Sequence, residues 1–520
     1  MKFLGFLLIT AFMSCFIMPA QACVHINDIY YWTDKRDAEH FKFDEALNCE
    51  GLSLRTLEMT IISLGRIGGE SAVKKLYPLL SHPSMRIRKA TAFALGIAKV
   101  PEAGVPLTTA LAAEKEPEVQ YRMALAIGNM GYQNAQEVLY RIIKQDSSVQ
   151  KVRGALHGLV LFATFHKDDL DGVEALENKR MSELLKAPET QLEMSYLLAR
   201  LSLINDENQP ILLKLLPELA PEAQANLIRA LAKTKSRKIL PTLLSYLKSK
   251  HTGVRVNAIR GLGNYSENPV AIAGIIQALS YEDYISQVTA LQTINPDWLQ
   301  SPELLQKVKR NLAVEHSWVQ SEALLALIRG DKADKSLAEQ WLKARDPNYQ
   351  RAAIAYFVKQ KDRSTLEALA KSDKPVIANG AKQALKPETE KTEEPSPTDD
   401  ALPKLPVMVK LETTKGDIMI KLFDDTPYTS LNFMELVQSG YYDNTYFHRV
   451  IPNFVAQGGS QFGDGSGNVD YSIREELSYR SHLTGTVGMA TLGKDTGGAQ
   501  FFINIAPNIA ASKSLGAISP

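Results

Sequence analysis

A short pattern recurs through most of this chain and fixes what it can fold into. It reads as an aliphatic residue, then Arg or Gln, then Ala a few positions on: Ile87-Arg88-Lys89-Ala90, Val119-Gln120-Tyr121-Arg122, Val152-Arg153-Gly154-Ala155, Val254-Arg255-Val256-Asn257-Ala258 and Val319-Gln320-Ser321-Glu322-Ala323. The first three starts lie 32 and 33 residues apart, and the next two follow at 102 and 65, near three and two periods. Self-similarity at such a period means stacked helical hairpins, because one hairpin alone cannot bury its apolar face. Pairs such as Leu64-Gly65, Leu95-Gly96, Ile127-Gly128 and Leu262-Gly263 close many of the units. Glycine there is expected to take the left-handed position just past a helix end.

Neither a T-P-L-H pattern of ankyrin type nor a W-x-x-L-G pattern of TPR type recurs. The VRxxAxxALGxxG form over residues 51–385 resembles HEAT repeats of the short bacterial kind. The resemblance implies an all-α solenoid with a protein-binding role and leaves the partner unspecified. The motif arginines are expected to cap loops or pair between repeats, since charged helix faces are usually solvated or paired.

Residues 1–22 have the order of a secretory leader: Lys2, an apolar run, Pro19 and Ala20-Gln21-Ala22. Export to the periplasm or medium is expected, and 23–50 then form an N-terminal segment. Cleavage after Ala22 would expose Cys23, leaving Cys23 and Cys49 in an oxidising compartment. Two readings compete: a Cys23–Cys49 disulfide, or lipidation of Cys23 with membrane anchoring. A net charge of +1, without a block of like charges, gives no nucleic-acid footprint.

Residues 386–405 are rich in Pro, Glu, Thr and Asp without apolar periodicity, which predicts a linker. Beyond them, 406–520 change character. Alternating residues around Thr413-Thr414-Lys415-Gly416 predict a hairpin, and Pro427 to Gly440 predict a helix with Leu431, Phe433, Met434 and Val437 on one face. The stretch from Tyr446 to Gln457 alternates again and predicts a strand carrying His448, Arg449 and Gln457.

The run YDNTYFHRVIPNFVAQGG at 442–459 and the run GTVGMATLGKDTGGAQFFI at 485–503 resemble the two signature blocks of the cyclophilin peptidyl-prolyl isomerases. The resemblance implies a mainly-β barrel and acceleration of cis-trans exchange at Xaa-Pro bonds of client proteins, with no cofactor or metal. It implies that Arg449 is the catalytic cation and that Phe454 with Val455 forms the proline slot. Gln457 would anchor Arg449 and the substrate backbone, with His448 in support. Ala490, Thr491, Gln500 and Phe502 would build the far wall, Thr491 standing where the family has Asn or Arg and Ala499 where it has Ser or Thr. Gly463, Gly465 and Gly467 match the family's glycine-rich loop; no Lys-Ser/Thr follows to make a phosphate loop.

The family continues past Ile503 through another helix and a closing strand, whereas 510–520 are small and polar. An incomplete barrel with an open edge is therefore expected. The chain reads as an exported isomerase whose solenoid recruits clients or a protein partner. The alternative is a non-catalytic solenoid scaffold carrying a passive or damaged cyclophilin-like module.

Overall fold

A computed structural model describes residues 23–165, 176–265, 268–385, 407–461, 465 and 467–507. The expected leader (1–22), the linker (386–405), Gly463 and the tail at 510–520 lie outside them. Paired helices run from Ile26–Asp34 to Pro375–Leu385, so the segment 23–50 is itself helical. One helix of each pair stacks on its counterpart in the next pair. The inner layer so formed includes Leu54–Ile67, Met85–Ala98, Pro117–Asn129, Val149–Phe165, Gln191–Leu201, Pro221–Lys233 and Thr252–Leu262. A continuous apolar core lies between the layers, with Met59, Ile87, Leu107, Ile127 and Leu156 fully buried.

The motif's polar position acts locally. Arg88 donates to the His82 carbonyl at 2.9 Å, Gln120 to Glu114 at 2.7 Å, Arg255 to Ser249 at 2.8 Å and Gln350 to Ala344 at 2.8 Å. Each bond reaches back six residues and satisfies a carbonyl of the preceding loop, as a buried polar group requires. Arg88 also pairs with Glu114 at 2.6 Å and Arg153 with Glu193 at 2.6 Å. The recurring cations are structural caps and bridges, as expected.

None of the motif glycines takes the left-handed position expected of a helix cap. Gly65, Gly96 and Gly128 lie inside their helices, and Gly263 has an ordinary right-handed φ of −59°. Their role is close approach. A Cβ on Gly65 would stand 2.6 Å from the Ala94 Cα, and one on Gly128 would stand 1.9 Å from the Gly158 carbonyl oxygen. Helix axes this close leave no room for a methyl group. The left-handed turns belong instead to Gly68 at +76° and Gly131 at +74°.

The C-terminal domain begins with the predicted hairpin, β1 (Met408–Thr413) and β2 (Gly416–Lys421), turning at Gly416 with φ +119°. Helix Pro427–Gln438 follows and ends before Gly440, whose φ of +71° suits the stop. Four further strands, β3 (Arg449–Ile451), β4 (Val455–Gly458), β5 (Val487–Met489) and β6 (Phe501–Asn504), form a sheet in the order β3-β4-β6-β5. Among the described residues the two sheets do not close into a barrel. Side chains join them instead: Val409, Ile420, Leu422, Phe433 and Phe501 make one cluster, so apolar packing rather than a ladder holds the hairpin.

Candidate functional site

The expected single strand from Tyr446 to Gln457 is a hairpin. Pro452 lacks an N–H and Asn453 takes φ +57°, so the chain turns there. The turn sets Arg449 directly opposite Gln457 across the β3–β4 ladder. Arg449 is exposed, and its Nη1 donates to Gln457 Oε1 at 3.0 Å. Gln457 Nε2 donates to Gln500 Oε1 at 3.0 Å, and Gln500 Nε2 donates to the carbonyls of Gly465 (2.8 Å) and Gly467 (3.0 Å). One relay thus orients the guanidinium from the glycine-rich loop. Partial burial holds Arg449 below the usual arginine range.

Beside this relay lies a small apolar cluster of Phe454, Val455, Ala490 and Phe502. Val455 and Phe502 are both 0% exposed, so they form its floor, while Phe454 and Ala490 retain surface. Ala490 is set by its N–H, which donates to the Gln500 carbonyl at 2.8 Å. Thr491 is buried at the next position. The His448 ring is buried and packs under Gly465; a Cβ on that glycine would lie 3.2 Å from the ring. An exposed, oriented cation next to an apolar shelf is what a twisted prolyl amide needs.

A model of the cyclophilin type peptidyl-prolyl cis-trans isomerases matches residues 408–514. A Schizosaccharomyces pombe peptidyl-prolyl cis-trans isomerase is 42% identical over 105 residues, which cover 19% of this chain and 68% of that protein. The chain belongs to the cyclophilin family. A HEAT-repeat model matches residues 209–295, ahead of the cyclophilin domain as expected. A Synechococcus elongatus peptidyl-prolyl cis-trans isomerase is 51% identical over 94 residues, 18% of this chain; the chain spans 65% of the length of that relative. A solved cyclophilin of Cryptosporidium parvum, in the presence of the dipeptide Ala-Pro, is 31% identical, with 21% of this chain and 73% of that one covered and a TM-score of 0.20.

Sequence reasoning missed two features of this cyclophilin domain. His482 stacks on Phe502 with ring centroids 5.8 Å apart, and burial pushes its pKa down to about 4, so it is neutral beneath the apolar cluster. No local pattern marked it. The second feature is a built-in contact with the solenoid. Tyr479 inserts among Glu58, Phe93 and Arg122: its hydroxyl donates to Glu58, and its carbonyl accepts from Arg122 at 3.2 Å. At the far side Arg351 donates to the His448 carbonyl at 2.6 Å. Aromatic and basic residues in HEAT units and in the 471–480 loop were the available signal, but sequence does not pair them.

Cys23 is bonded to Cys49, with Cα atoms 6.2 Å apart. The bond takes up the sulfur that lipidation would need. Among the described residues, no helix is long and apolar enough to cross a membrane, and no group of three His, Cys, Asp or Glu side chains could hold a metal ion.

Proposed function

We propose that this chain is a peptidyl-prolyl cis-trans isomerase for exported proteins, with the solenoid supplying a client- or partner-binding surface. The observation that carries the activity is the Arg449–Gln457–Gln500 relay beside Phe454. Rotation about an Xaa-Pro bond costs about 18–20 kcal/mol because it breaks amide resonance. At the top of that barrier the imide nitrogen is pyramidal and can accept a hydrogen bond. Arg449 is held to donate one, and its fork of N–H groups keeps charge at every physiological pH. The planar ground state offers no such acceptor, so the interaction favours the transition state selectively. Phe454 would receive the proline ring.

Export is supported by the leader-like order of residues 1–22 and by the Cys23–Cys49 bond, which suits an oxidising compartment. The test of activity is isomerisation of a proline peptide by the purified chain beside Arg449→Ala. The expected outcome is catalysis that falls by roughly 10²–10³ in the variant. Equal rates in both proteins would overturn the role of Arg449. Client binding by a chain without isomerase activity would favour the scaffold reading.

A further inference from the structure

One edge of the proline shelf, Phe454, faces the solenoid. A cavity of about 890 Å³ lies between them, with Ile451, Asn453 and Phe454 on the cyclophilin side. Its opposite wall carries Arg200, Arg229, Lys233 and Arg260, from three consecutive inner helices, and among the described residues Glu222 is its one lining carboxylate. Arg260 reaches across to the Pro452 carbonyl at 3.3 Å, and Lys233 donates to the Ala199 carbonyl. Arg200 and Arg229 have no hydrogen bond or ion pair among the described residues. This contrasts with Arg88, Arg153 and Arg255, each paired with a carboxylate of a neighbouring repeat.

Among the described residues, no carboxylate pairs with Arg200, Arg229 or Arg260. Arg229 keeps exposed surface, but partial loss of water around it and the charge of Arg200 hold it below the usual arginine range. Burial and Arg229 bring Arg260 down to about 10. Burial, Arg229 and Arg200 lower Lys233 too. Like charges gathered around a concave space raise the local anion concentration and favour an anionic occupant. Inter-repeat pairing elsewhere shows that this fold has carboxylates available to neutralise such groups.

We propose that Arg200, Arg229 and Arg260 extend the cyclophilin groove and select client segments that carry Asp or Glu close to the isomerised proline. This rests on the isomerase reading above. An acidic peptide fits better than a nucleic acid because the cavity is lined by Phe454 of the apolar shelf as well as by the cations. The solenoid then acts as the specificity wall of the enzyme.

The test compares a labelled proline peptide bearing Glu on both flanks with its Gln counterpart, using the full chain at low salt. Both isomerisation and binding by fluorescence anisotropy are measured. The Glu peptide should be preferred roughly threefold to tenfold in kcat/KM and in Kd. Arg200→Gln with Arg229→Gln should remove the preference for the Glu peptide, and Arg200→Lys with Arg229→Lys should restore it. Equal treatment of the two peptides by the unmodified chain would overturn the proposal, as would a preference that survives in the Gln variant. Preferential binding of the Glu peptide without isomerisation of either would sustain the cationic wall and sink the isomerase reading. Displacement of the Glu peptide by a lower concentration of an oligothymidylate would also overturn it.

Discussion

Arg66, in the last turn of helix Leu54–Ile67, donates to the Asp425 carbonyl at 2.6 Å and so joins stretches 359 residues apart. It also donates to the Leu477 carbonyl at 3.0 Å and stands 4.0 Å from the buried Glu476 carboxylate. Burial wins over attraction for both members: Arg66 is lowered and Glu476 raised from their usual ranges. Such a pair adds little by itself, but losing one partner strands the other. Arg66→Met should therefore cost about 3–5 kcal/mol in domain docking. Adding Glu476→Gln should recover part of the loss. Urea unfolding and limited proteolysis of the three proteins would read this, and full stability of the single variant would refute the contact.

The relay makes a sharper claim about catalysis. Gln457→Leu removes the acceptor that orients Arg449 and the donor that meets Gln500. The chain should then lose roughly tenfold or more in kcat/KM, because the cation remains but is no longer aimed. Arg449→Lys should not rescue, since a point charge lacks the guanidinium fork. Stopped-flow isomerisation assays on both variants would decide.

Two glycines separate close packing from turn geometry. Gly128→Ala drives a methyl into the Gly158 carbonyl, whereas Gly131→Ala meets no atom within 4 Å and pays only for φ +74°. Overpacking is expected to cost about 1–3 kcal/mol or more, and the left-handed alanine about 1–2 kcal/mol. Thermal unfolding should rank Gly128→Ala as the more harmful. The reverse order would mean that the helices relax apart.

His482 makes the cyclophilin domain sensitive to acid. Its folded pKa, about 4, lies below the unfolded value near 6.5. The unfolded chain thus binds the proton first. The stability is fully present above pH 6.5 and is lost as pH falls towards 4, up to about 3 kcal/mol. Melting curves of the chain and of His482→Gln between pH 7 and 4 should converge as pH drops. A parallel pair would exclude His482 as the sensor.

The Cys23–Cys49 bond closes a span of 26 residues around helices Ile26–Asp34 and Phe41–Asn48. Loop-closure entropy for that length corresponds to about 3.5 kcal/mol. Cys49→Ser should lower the melting temperature accordingly, as should reduction. Mass spectrometry of the mature chain checks the pairing directly: an acylated Cys23 would rule it out.

The sequence by itself determined what depends on near neighbours. The period of the Val-Arg-Ala pattern set the stacked hairpins, because burial of an apolar stripe repeats wherever the stripe does. Alternation around Gly416 set the first hairpin, and the run through Arg449, Phe454 and Gln457 named the family. Local pattern failed where two distant segments meet. Gly65 and Gly128 looked like helix ends, yet Ala94 and Gly158 on the next helix are what forbid a side chain there. The run from Tyr446 to Gln457 looked like one strand until Pro452 and Asn453 folded it, placing Arg449 against Gln457. Tertiary structure alone decided that Tyr479 docks between Glu58 and Arg122, that His482 lies under Phe502, and that Arg200, Arg229 and Arg260 face Phe454. The Tyr479 and Phe454 relations depend on how many repeats stack, and the His482 relation on packing within the cyclophilin domain; no window of sequence contains either.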